Sequence, residues 1–149
     1  MDLVERQLTL PTDLEEAWSL VTRPEDLAGW LGREVELDPT PGAAGVVVDH
    51  DGTRRRLVVD TVEAGGDAAR RLAWRWWVEG EDGPAVASRV ELTLTPTVEG
   101  TRLTVVERLE AADHPSAEAA SLAFVAGEAW SHRLLHLESL LLLAAAVRG

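Results

Sequence analysis

One stretch constrains this chain more than any other. From Ser116 to Val147 there is no proline, and Ala, Leu and Glu dominate, so the spacing predicts a single long helix. At about 100° per residue, Trp130, Leu134, Leu137 and Leu141 fall on one face and form a buried stripe. Toward the N-terminus the same face reads Ala119, Ala123, Ala126 and Gly127. One half of the helix offers bulk to its partner and the other half almost nothing. Either a neighbouring element approaches closely there, or a cavity is left.

The partner is legible upstream. Val4, Arg6, Leu8 and Leu10 alternate with Glu5, Gln7 and Thr9, a first strand with one Arg on its apolar side. Thr12 with Glu15, and Thr22 with Glu25 behind Pro24, predict two capped short helices, the first carrying Leu14, Ala17, Trp18 and Val21, the second Leu27, Trp30 and Leu31. The period then changes to two. Strands are expected over 33–37, 46–50, 54–62, 71–78, 86–95 and 101–109, with turns at Pro39–Gly42, Asp51–Gly52, Gly65–Asp67, Glu79–Pro84 and Glu99–Gly100. Asp113, His114 and Pro115 break the chain, and Ser116 with Glu118 opens the long helix. Alternating strands joined by hairpin turns give an antiparallel sheet with one buried face. The terminal helix is its natural cover, so the expected class is α+β, about seven strands curved around that helix.

Bulk properties narrow the function. With 149 residues and 46% hydrophobic content the chain is expected to be one domain, 1–149. A net charge of −12 argues against nucleic acid and membrane as partners. Arg54-Arg55-Arg56, the one basic run, reads as a solvated strand start. Without cysteine there is no thiolate chemistry, and no apolar leader stands at the N-terminus, so the expected location is cytoplasmic. All 14 basic residues are Arg, a bias suggesting a GC-rich genome.

These stretches carry a resemblance. Leu10-Pro-Thr-Asp-Leu-Glu-Glu-Ala-Trp18, Thr22-Arg-Pro-Glu-Asp-Leu-Ala-Gly-Trp30, Arg71-Leu-Ala-Trp-Arg-Trp76, Gly100-Thr-Arg-Leu-Thr-Val-Val-Glu107, and Trp130 with Leu134 and Leu137 resemble the START-like (SRPBCC) superfamily. Within it the chain is similar to the branch named after the activator of the heat-shock-protein-90 ATPase. The resemblance implies the helix-grip fold. It also implies a space between helix and sheet, where relatives hold apolar small molecules and a few catalyse cyclisations. It supplies no catalytic residue. The chain departs from the branch at Ala43, where a second Gly usually follows Pro41-Gly42.

Strand parity singles out the polar residues that matter. Leu72, Trp74, Trp76 and Val78 share an inward face, leaving Trp77 outward. Ser88 is the lone polar group among Val86, Val90, Leu92 and Leu94, and Glu107 the lone carboxylate among Leu103, Val105 and Leu109. A carboxylate there must be paired, hydrogen-bonded or protonated. With first and last strands adjacent, the expected partner is Arg6. The other reading is a polar anchor for a ligand. Trp74 and Trp76, with Trp30 and Trp130, form either an aromatic wall for a flat ligand or plain core. Glu128, His132 and His136 lie along one helix side, but roughly 170° from the buried stripe, so they read as a solvated face and no metal is expected.

The expected site is therefore ligand-binding: Trp30, Trp74, Trp76, Ser88, Glu107, Ala123, Gly127 and Trp130, with no catalytic residue and no cofactor. The leading function is binding of an apolar or aromatic small molecule. The alternatives are a protein-interaction module, with Trp77 as its surface, and a cavity enzyme of cyclase or hydrolase type using Glu107 as acid or base.

Overall fold

The computed structural model describes residues 3–65, 68–80, 87–109 and 116–148 and, in the last segment, the side chains of 125–143. The elements run in the order β1 (Leu3–Leu10), α1 (Leu14–Thr22), α2 (Pro24–Leu27), β2 (Glu34–Glu36), β3 (Ala44–Val48), β4 (Arg54–Glu63), β5 (Arg70–Val78), β6 (Ser88–Thr97), β7 (Gly100–Leu109) and α3 (Ser116–Arg148). The seven strands form one antiparallel sheet in the order β1-β7-β6-β5-β4-β3-β2. This is the helix-grip arrangement, and the first and last strands are neighbours as expected.

Period-two patterning decides which faces meet. Leu72, Trp74 and Trp76 on β5, Val90, Leu92 and Leu94 on β6, and Leu103 and Val105 on β7 are all buried. They join Trp30, Leu31, Trp130, Leu134 and Leu137 in one core. Four of the six indoles are fully enclosed, each contributing more than 150 Å² of surface removed from water. Around Asp60 the β4–β5 register shifts between Val59 and Thr61, a bulge that adds curvature to the sheet.

Local chemistry differs from the sequence expectation at both helix starts. The α1 N-cap is Asp13, whose side chain accepts from the Glu16 N–H, while the Thr12 hydroxyl donates to the Glu16 carboxylate. A carboxylate one residue on displaces the hydroxyl because it is the stronger acceptor for the exposed N–H. At α2 the cap position is Arg23, without a side-chain bond, and the Thr22 hydroxyl donates instead to the Trp18 carbonyl at 2.7 Å. The chain turns directly from one helix into the next, so Thr22 is still inside α1. Ala43 needs no left-handed backbone: the positive φ of this turn, 87°, falls on Gly42. The expected turn at Gly65–Asp67, the 79–84 loop, the inward Val86, the break at 113–115, the Ser116–Glu118 cap, and the side chains of Leu109, Ala119 and Ala123 lie wholly or partly outside the described residues.

Candidate functional site

Glu107 is the centre of the interior polar network, and its partners are not the expected ones. It is buried on β7, directly across from Val4 on β1, while Arg6 faces Val105. Arg6 lies two residue pairs further along and turns to the helix, donating to the Ser131 hydroxyl at 3.2 Å and to the Glu5 carbonyl. The indole of Trp130 reaches the carboxylate instead. Its Nε1 donates to Oε1 of Glu107 at 2.7 Å, and Nε1 of Trp76 donates to Oε2 at 2.9 Å. The Ser88 hydroxyl donates to the same Oε2. The Arg6–Glu107 ion pair is therefore not formed, because three neutral donors from β5, β6 and α3 already fill the carboxylate. Hydrogen bonds to a charged acceptor contribute about 1.5–3 kcal/mol each, enough together to offset a desolvation cost of several kcal/mol.

On the far side of those indoles lies a cation. The Arg133 guanidinium, with 3% of the residue exposed, sits 4.6 Å from the Trp130 ring centre and 5.0 Å from that of Trp76. The two rings stack at 5.9 Å and 26°. Desolvated cation–π contacts of this kind contribute about 2 kcal/mol, and a cation on the ring face also polarises the indole N–H toward its acceptor. Arg133 donates to Oδ1 of Asp49 at 2.8 Å, and Arg55 donates to Oδ2 of the same carboxylate at 2.9 Å. Arg55 also lies 4.9 Å from the Trp76 ring centre. The basic run is thus only partly solvated: Arg54 and Arg56 meet exposed Glu79, whereas Arg55 turns inward. Anion, cation, indole pair and anion follow one another from the β3–β4 turn to the heart of the sheet.

The open space adjoins this chain of charges. A pocket of about 390 Å³ is lined by Asp49, His50, Asp51, Ala129, His132, Arg133 and His136, a volume in the range of small-molecule sites. It sits between the β3–β4 turn and the middle of α3. His50 and His136 stack across it, ring centres 4.2 Å apart and 22° from parallel. His50 Nε2 approaches the Trp30 carbonyl at 3.3 Å, and since a carbonyl only accepts, that nitrogen carries the proton. Burial, then the neighbouring His50 and His132, hold His136 below the usual imidazole range. The His132–His136 side of α3 is therefore a pocket wall and not simply a solvated face. The helix wheel could not show this, because the wall opposite comes from a turn distant in sequence. Among the described residues no three His, Asp or Glu are placed to hold a metal ion.

The family model described as "Activator of Hsp90 ATPase homolog 1-like protein" matches residues 11–141. The chain belongs to this family. No curated protein matches it. Among solved structures, DynU16, a protein of the dynemicin biosynthetic locus, is 29% identical with a TM-score of 0.71 over 92% of this chain. The chain spans only 46% of the length of DynU16. MLL2253 from Mesorhizobium loti is 23% identical, with a TM-score of 0.73, covering 93% of this chain and 96% of that one. CalU16 from Micromonospora echinospora is 19% identical, with a TM-score of 0.64, covering 93% and 74%. The last two likenesses bear on the fold alone.

In this family member the sequence-derived residues divide into groups. Trp76, Ser88, Glu107 and Trp130 form one hydrogen-bonded cluster. Trp74 packs edge-to-face on Trp76 at 5.7 Å, and among the described residues its Nε1 meets no acceptor. Trp30 donates to the Leu20 carbonyl at 2.9 Å and touches the site only through the carbonyl that holds His50. Gly127 stands apart: a Cβ there would lie 2.6 Å from a terminal nitrogen of Arg6, so its smallness makes room for an arginine. Sequence reasoning missed Asp49, Arg55 and Arg133. The signal for Arg133 was present, since it falls one turn from Trp130 and Leu137 beside the apolar stripe. Trp77 is half-buried, and the large exposed apolar side chains include Leu135, Leu142 and Leu143 on α3.

Proposed function

We propose that the chain binds an apolar or aromatic small molecule bearing an acceptor group, in the pocket between the β3–β4 turn and α3. One observation carries the reading: a space of about 390 Å³ has, as one wall, a buried guanidinium held 4.6 and 5.0 Å from the centres of two indole rings. Such an arginine has lost its rotational freedom before any ligand arrives, so binding costs less ordering entropy. Glu107, Ser88, Trp76 and Trp130 set where Arg133 lies, Trp30 sets His50, and Trp74 supplies a second buried donor deeper in the same sheet face. Gly127 makes room for Arg6 and is not among the residues lining this pocket. DynU16, the relative at 29% identity, belongs to a biosynthetic locus, which agrees with a small-molecule ligand. Catalysis by Glu107 gains no support, since both of its oxygens are engaged and a proton transfer would first break one of those bonds.

The test is a fluorescence titration with 8-anilinonaphthalene-1-sulfonate, an aromatic anion. One saturable site is expected, abolished by Ala129→Trp and weakened about tenfold by Arg133→Met, the scale of one lost charged hydrogen bond. An Ala129→Trp variant that titrates like the parent would reject the pocket as the site.

A protein-interaction role rests on a different observation. Leu135 and Leu142, seven residues apart and 60% and 65% exposed, share one face of α3. The family description makes a heat-shock-protein-90 ATPase the partner to try, and an ATPase rate unchanged by saturating amounts of the chain would dismiss that role.

A further inference from the structure

The β3–β4 turn is fastened to α3 by two links of different kinds. Asp49 holds Arg133 at 2.8 Å, and carboxylates and guanidinium groups as classes do not change charge in the neutral range. His50 stacks on His136 at 4.2 Å, and imidazoles are the side chains whose charge changes there. Both links border the pocket.

The charges facing the stack decide what protonation does to it. From the turn come Asp49, whose two oxygens are taken by Arg55 and Arg133, and Asp51, which accepts from the Thr53 backbone N–H at 2.9 Å. From α3 come His132, one turn before His136, and Arg133. From the segment after α2 come the Trp30 carbonyl and, near Gly52, the Arg33 guanidinium. The nearby carboxylates are thus already engaged, and a second proton in the stack would place two like charges face to face at van der Waals distance. Burial and the two neighbouring imidazoles favour the neutral form of His136.

We propose that the His50–His136 stack is a proton-operated latch on the pocket. It is closed while both rings are neutral and parts as they charge, so that a bound molecule leaves faster as pH falls. This rests on the pocket being the ligand site.

Three readouts test it on the intact chain: imidazole titration by NMR, amide exchange of the 49–53 turn, and stopped-flow dissociation of 8-anilinonaphthalene-1-sulfonate. His136→Phe keeps a flat ring and removes the titratable nitrogens, and His50→Phe serves if that variant does not fold. His136 should titrate below the ordinary imidazole value of 6.5. Between about pH 7.5 and about pH 5 the turn's exchange, corrected for intrinsic rate, and the dye's dissociation rate should each rise about tenfold in the parent and stay level in the Phe variant. The latch is overturned if the Phe variant keeps the parent's acid response, or if His136 titrates at or above 6.5. A dye that binds but dissociates at a pH-independent rate also overturns it. If the dye binds nowhere while turn exchange follows the expected pattern, the proton-operated opening of the turn stands and the ligand reading falls, taking with it the release of a bound molecule.

Discussion

Replacing Glu107 by Gln changes one atom in the centre of the molecule and tests the whole polar network. The carboxylate accepts three bonds: Trp130 Nε1 on Oε1, and Trp76 Nε1 with the Ser88 hydroxyl on Oε2. An amide has one oxygen and one NH2 group, and an indole N–H can only donate. With the NH2 at the Oε1 position, Trp130 faces a donor. With the NH2 at the Oε2 position, Trp76 does, and Ser88 keeps a bond only by turning to accept. At least one fully buried indole N–H is therefore stranded, at about 1–3 kcal/mol, and the remaining bonds lose their charge assistance. The expected loss is about 2–4 kcal/mol, or roughly 4–16 °C in Tm for a domain of this size. Urea denaturation with Trp fluorescence reads both the stability and the indole environment. A loss under about 1 kcal/mol, below the range for one orphaned buried donor, would refute the account of Glu107 as a saturated acceptor.

Trp130→Ala removes a fully buried ring that both fills the core and donates to Glu107, so a loss of about 3–5 kcal/mol is expected in the same assay. Arg6→Met combined with Glu107→Leu should show no recovery over Glu107→Leu alone, because the two side chains do not meet. A double-mutant coupling above about 0.5 kcal/mol would contradict this. Gly100→Ala should cost about 3 kcal/mol, since φ is +144° and a Cβ would lie 2.1 Å from the Leu10 carbonyl oxygen. Stability should fall with acid in two windows. His136 is held below its ordinary 6.5, so the stability tied to its neutral form is present above that value and is lost as pH drops through its lowered value. Glu15, held down by Arg70, and Asp51, held down by the Thr53 N–H, give up theirs only below about 4.5 and 3.8, their ordinary values. Thermal melts from pH 8 to pH 3 would show one smooth decline if the first window does not exist.

The sequence by itself determined the class of fold, the strand parity and the cover. Alternation in 71–76, 88–95 and 101–107 names the inward residues correctly, because a strand's side chains repeat every two residues whatever lies opposite, while Val78 at the strand end is half-buried like Trp77. The wheel placed Trp130, Leu134 and Leu137 in the core for the corresponding reason. That Glu107 must find partners was equally legible, since a buried carboxylate cannot go unsatisfied. Which partners it finds was not. The choice between Arg6 and two indoles depends on where α3 crosses the sheet, and an offset of two residue pairs along β1 puts Arg6 beside Gly127 and Ser131 instead. The pocket was hidden for the same reason. Its walls, 49–51 and 129–136, stand about eighty residues apart in sequence and are locally unremarkable: an Asp-His-Asp turn and a polar helix side. Periodicity reports which face of an element is apolar, and only the packing of helix against sheet decides which polar face meets another.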